Sequence, residues 1–83
     1  MPQGPTIIAG IDIGSTTTRV IITEHAGSGI HPRVIGVGRT ETIGISKGYV
    51  IHEEEAVRSL TGAINMAEKM ANIKLDRAYV CIG

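Results

Sequence analysis

A chain of 83 residues buries a small share of its surface, so one core is the ceiling. Eight basic residues balance eight acidic ones, which excludes the strong field that would draw nucleic acid or an anionic membrane. With no Phe or Trp, and only Tyr49 and Tyr79 as rings, the core must come from Ile, Val, Leu, Ala and Met.

The first apolar run, TIIAGIDI from Thr6 to Ile13, stops at the turn-prone GSTTT, and TRVIITE resumes with β-branched residues. The pattern predicts a strand, a tight turn and a second strand over Thr17 to Glu24. Gly27, Ser28 and Gly29 give a permissive loop, and Pro32 limits pairing at the start of the next run. A third, antiparallel strand is expected over Arg33 to Thr42.

From Glu53 the period changes. Ala56, Val57, Leu60, Ala63, Ile64, Ala67, Met70 and Ala71 recur at three- and four-residue steps, as one helix face does. A helix of about five turns is expected over Glu53 to Ala71. Its first turn holds Glu53, Glu54 and Glu55, where negative charge suits the positive end of the helix dipole. Met66 and Met70, one turn apart beside Ala63 and Ala67, read as adaptable core filling.

Asn72 is a plausible stop, and RAYVCIG reads as a short buried strand. The helix before it is the crossover that a parallel pairing with the first strand requires. The expected order is therefore βββαβ, an α/β unit with a mixed sheet and one crossover helix.

Chemistry concentrates in GIDIGSTTTRV, Gly10 to Val20. Asp12 sits at a strand end, able to accept hydrogen bonds from the water around magnesium, an ion that keeps much of its hydration shell. Gly14 lets backbone approach a phosphate with no side chain in the way. The successive amides of Ser15, Thr16 and Thr17 are placed to cradle phosphate oxygens, as backbone nests do. The competing reading is a plain hairpin, with Asp12 in a local side-chain turn and the threonines favouring strand.

Other motifs fail on spacing. In GVGRTE the third glycine of a dinucleotide fingerprint is replaced by Glu41, and no glycine-rich loop carries Lys-Ser or Lys-Thr. His25, His31 and His52 lack the spacing of a metal site, and Cys81 has no sulfur partner. Surface histidines and a buried strand cysteine are expected. The single cysteine and the lack of a basic-then-apolar leader suggest a cytoplasmic chain. No apolar run approaches the roughly 20 residues of a spanning helix.

GIDIGSTTTRV resembles the first phosphate-binding segment of the actin, sugar-kinase and heat-shock-chaperone ATPase superfamily. It is equally similar to the start of the ATP-dependent activators of hydroxyacyl-CoA dehydratases and of the pilus-assembly actin homologue PilM. The text downstream, VIGVGRTETIGISKGYV, AVRSLTGAINMAEKMANIKL and RAYVCIG, resembles the bacterial cell-division family FtsA in order, spacing and wording, from Ile7 to Gly83.

That resemblance implies part of a ribonuclease H-like, actin-like ATPase subdomain, with residues 1–83 stopping before the family's extra subdomain. ATP and magnesium would be the cofactors of the full-length protein. Asp12 would face magnesium through water, while Gly14, Ser15, Thr16 and Thr17 would contact phosphate. Arg19 takes no role from the resemblance. The family polymerises and links the tubulin-like protein FtsZ to the inner membrane through a C-terminal helix absent here; from the balanced charge, no nucleic-acid partner is expected. A slow ATPase is implied for the full-length protein, and no catalysis for the 83-residue chain alone. The alternatives are part of a sugar-kinase-like or dehydratase-activator ATPase, or a non-hydrolysing PilM-like scaffold.

Overall fold

The computed structural model describes residues 6–25, 31–43, 45–46, 49–50 and 52–82. Three long strands come first, β1 (Thr6–Ile13), β2 (Thr17–His25) and β3 (Arg33–Glu41). Two short strands, β4 (Ile45–Ser46) and β5 (Tyr49–Val50), pair antiparallel as a small separate ladder. The helix α1 (Glu53–Ala71) and the strand β6 (Tyr79–Ile82) complete the order. The main sheet runs β3-β2-β1-β6, antiparallel except for the parallel pairing of β6 with β1. The chain is therefore an α/β unit with a mixed four-stranded sheet and one crossover helix, as its period changes predict.

Strand alternation decides which face is covered. Ala9, Ile11 and Ile13 of β1, and Thr18, Val20 and Ile22 of β2, point to the helix side and are buried. Their neighbours Gly10, Asp12, Arg19 and Ile21 point the other way and are exposed, because successive side chains take opposite faces. On β3 the helix-side positions are Gly36 and Gly38, and both are buried.

These two glycines set the distance of α1. A Cβ on Gly38 would fall on the Ala63 carbonyl oxygen, and one on Gly36 on the Ala67 carbonyl oxygen. Ala63 and Ala67 are the fully buried residues of the helix, so backbone meets backbone with only methyl groups between. Leu60, Ile64, Ile73 and Leu75 pack around this contact.

The helix ends follow backbone chemistry. His52 at the N-cap makes no side-chain capping bond, and Glu53, Glu54 and Glu55 occupy the first turn, where the dipole favours them. At the other end Asn72 turns to φ 58° and its N–H donates to the Glu68 carbonyl. Asparagine tolerates that left-handed conformation, which closes the helix and satisfies an orphan carbonyl. Glu68 Oε2 then accepts from the Leu75 N–H at 2.7 Å, tying the connection to β6 back to the helix.

Some side-chain expectations are corrected. Tyr79 and Val80 are 76% and 55% exposed, and Cys81 is exposed, so β6 is not a buried strand and Cys81 is not a buried cysteine. The cause is position, since β6 is an edge strand while α1 lies against β2 and β3. Met66 and Met70 are 50% and 65% exposed and do not fill the core. The glycine–alanine contact draws the helix so close to β3 that long side chains on its flank are left outside. Finally, β3 ends at Glu41 rather than Thr42, and the β4–β5 ladder was not expected from the sequence.

Candidate functional site

The turn between β1 and β2 is closed by the Gly14 N–H donating to the Thr17 carbonyl at 3.0 Å. Ser15 and Thr16 are exposed, and Gly14 and Thr17 half-buried. Among the described residues, no turn carbonyl accepts a bond from the amides of Ser15 or Thr16, and Thr17 opens β2 opposite Glu41. Two successive donors are thus left for a ligand or water. That is the chemical minimum for an anion-binding turn.

Gly14 is needed for space rather than for an unusual backbone. Its φ lies outside the left-handed region, and a Cβ there would stand 3.3 Å from the Thr17 carbonyl oxygen. The glycine keeps the closing contact short and leaves its outer side bare.

Asp12 is exposed on the uncovered sheet face, one residue before Ile13 ends the strand. Its carboxylate makes no hydrogen bond or ion pair among the described residues, where the one ion pair is Arg33 with Glu24 at 3.0 Å. It is therefore not engaged in a local side-chain turn. No group of three or more His, Cys, Asp or Glu side chains converges among the described residues. A cation at Asp12 would take most of its ligands from water or phosphate, which is how magnesium is usually held. The residues fit hydrated magnesium beside a phosphate better than a dedicated protein cage.

The sheet register adds a residue that sequence reasoning left unassigned. Asp12 stands across from Arg19 on β2, and Arg19 across from Arg39 on β3. All three are exposed and lie on the face away from α1. A cleft of 390 Å³ runs along that face past Gly10, Asp12, Arg19, Tyr79 and Cys81. A second hollow, of 400 Å³, lies beside the turn and is lined by Thr16, Thr17, Arg39, Thr40 and Glu41. Two guanidinium groups therefore flank the hairpin on the side where Asp12 emerges. Alternation alone carried the signal, because Arg19 shares the parity of Asp12 across the hairpin.

Behind the turn lies a layer of hydroxyl groups. Thr18 Oγ1 and Thr42 Oγ1 are 2.8 Å apart and buried. The Thr42 N–H donates to the Thr16 carbonyl at 2.9 Å. Ser59 Oγ accepts from the Ile43 N–H at 3.0 Å and donates to the Glu55 carbonyl at 3.1 Å.

An antiparallel hairpin whose exposed turn stands beside a strand-end carboxylate, on a mixed α/β sheet, is the class of structure that the fold and site define. Comparison with known proteins narrows it. The chain is 32% identical to the cell division protein FtsA of Enterococcus hirae over 71 residues, covering 86% of this chain and 16% of the relative. It is 32% identical to FtsA of Pseudomonas aeruginosa over 80 residues, or 96% of this chain and 19% of the relative. With FtsA of Bacillus subtilis the identity is 32% over 74 residues, 89% of this chain and 16% of the relative. No family model matches. The chain is FtsA-like, and it spans between 16% and 19% of the length of these curated relatives.

Proposed function

We propose that this chain is the first phosphate-binding part of an ATP-binding, actin-like cell-division protein. The observation that carries the reading is the turn itself, where the amides of Ser15 and Thr16 have no carbonyl partner next to the exposed carboxylate of Asp12. Similarity to proteins named cell division protein FtsA supports it. The mixed sheet with a parallel β1–β6 pair is compatible with the ribonuclease H-like subdomain that such a protein would have.

In this reading the turn amides and the hydroxyls of Ser15, Thr16 and Thr17 hold phosphate oxygens. Gly14 leaves room for their approach. Asp12 orients water on the magnesium that accompanies ATP, and Arg19 across the ladder adds a charge-assisted donor. Bound magnesium ATP supplies a concentrated negative charge partly neutralised by the metal. The chain's own contribution is to position it, which is most of what phosphoryl chemistry asks of a protein. We assign no catalytic residue. Polymerisation, an FtsZ-like partner and a membrane tether belong to the same proposal for the longer protein. Among the described residues no helix is long and apolar enough to cross a membrane.

One side of a clamp binds weakly. The 83-residue chain is expected to bind magnesium ATP with a dissociation constant near millimolar, about −4 kcal/mol. Calorimetry, with amide NMR titration at Ser15–Thr17, measures it. Low-micromolar affinity would contradict the clamp argument, and silent turn amides at saturating ligand would remove the site.

A further inference from the structure

We propose that Thr42 is a positioning residue that holds the turn in its donor geometry and links its occupancy to the start of α1. The inference rests on the phosphate-binding reading above and extends it to residues outside the hairpin.

Thr42 makes two separate contacts with the hairpin. Its N–H donates to the Thr16 carbonyl, and its hydroxyl pairs with that of Thr18. A trans peptide sends its carbonyl and the next N–H in opposite directions. Pulling the Thr16 carbonyl toward Thr42 therefore aims the Thr17 N–H away from Thr42, to the side of the turn where the Gly14 N–H meets the Thr17 carbonyl. The direction of one cradle donor is fixed by a residue twenty-five positions from it in sequence.

Packing alone does not explain the hydroxyls. Thr18 is 1% and Thr42 8% exposed, and valine would fill either volume with no polar group to desolvate. A buried hydroxyl is tolerated only when bonded, and here the two satisfy each other. What hydroxyls add over valine is direction, since a hydrogen bond has an orientation and a methyl contact has none.

The link continues beyond Thr42. The next N–H, that of Ile43, donates to Ser59 Oγ, which donates to the Glu55 carbonyl in the first turns of α1. Thr40 Oγ1 donates to the Ser59 carbonyl at 2.6 Å, so the same helical residue is held from both sides of Thr42. An anion on the Thr17 N–H polarises the peptide whose carbonyl Thr42 holds. The Thr42 and Ile43 N–H groups lie in consecutive peptides on either side of the Thr42 Cα, so a shift of Thr42 with the bound turn moves the bond to Ser59.

The test is an amide NMR titration of the 83-residue chain with magnesium ATP, in wild type, Thr42→Val and Thr42→Ser. In wild type the amides of Ser15, Thr16 and Thr17 should shift, and those of Ile43 and Ser59 should shift with the same half-saturation. Thr42→Val removes the hydroxyl bond to Thr18 but keeps both backbone bonds, so it should raise the half-saturation at the turn about three- to tenfold, the worth of one hydrogen bond. Thr42→Ser should restore the wild-type value. The proposal is overturned if the wild-type turn responds while Ile43 and Ser59 do not, an outcome that needs no substitution and is immune to misfolding of a variant. It is also overturned if Thr42→Val titrates like wild type. Should the turn amides of wild type never respond, the phosphate-binding reading itself has failed, and this inference with it.

Discussion

Gly38→Ala is expected to destabilise the chain more than any other single added methyl group at a described glycine. The new Cβ would land on the Ala63 carbonyl oxygen, 2.7 Å from the Ala63 carbonyl carbon and 3.1 Å from the Ala67 nitrogen. All three are backbone atoms of a helix, and none is the end of a side chain that can swing aside. Relief requires α1 to lift off β3, which opens the contact around Ala63 and Ala67 and exposes part of the core. Overpacking of this kind costs about 1–3 kcal/mol and sometimes more, a large share of the few kcal/mol that a domain this small holds.

The contrast is Gly10→Ala on the uncovered face, where an added Cβ meets nothing within 4 Å. That change should stay within about 0.5 kcal/mol. Gly62→Ala lies between, because the Cβ would meet the Thr40 Cγ2 methyl at 3.1 Å while alanine gains about 1 kcal/mol of helix propensity. Urea midpoints at equal slope measure all three. Equal midpoints for the Gly38 and Gly10 variants would refute the backbone-to-backbone account of the fold.

Those glycines mark the limit of what the sequence discloses. Period-two and period-four patterns are local, so β1, β2 and α1 are legible within a residue or two, and the parallel β6 follows from the crossover rule. Burial is not local. Met66 lies on the same helix as Ala67, yet the helix approaches β3 so closely that only alanine-sized groups fit between them. Tyr79, Val80 and Cys81 have an apolar pattern, but the helix lies over the opposite half of the sheet. At the candidate site, Asp12, Gly14 and the turn amides are legible because they are contiguous. Arg39, Thr42 and Ser59 are not, since a ladder register and a helix placement bring them to the hairpin from twenty or more residues away.

Magnesium dependence of nucleotide binding should separate the roles inside the hairpin. Asp12→Ala is expected to erase the difference between ATP titrations with and without magnesium, and to weaken binding with magnesium by about tenfold or more. That corresponds to the ~1.5–3 kcal/mol carried by hydrogen bonds to a charged group. Gly14→Val should lose binding in both conditions, for a different reason. Its Cβ would stand 3.3 Å from the Thr17 carbonyl oxygen, and the two branches beyond it would force apart the Gly14–Thr17 closing bond of 3.0 Å. The amides of Ser15, Thr16 and Thr17 would then no longer converge, with or without the metal. Cys81→Ala is the demanding control, because Cys81 is the partner of Asp12 in the parallel ladder and lines the same cleft, but offers no oxygen for magnesium. It should titrate like wild type in both conditions. Amide NMR on the 83-residue chain reads such weak binding directly, and retained spectral dispersion shows that each variant is folded. If Asp12→Ala and Gly14→Val both titrate like wild type, the hairpin is a turn between two strands and holds no phosphate.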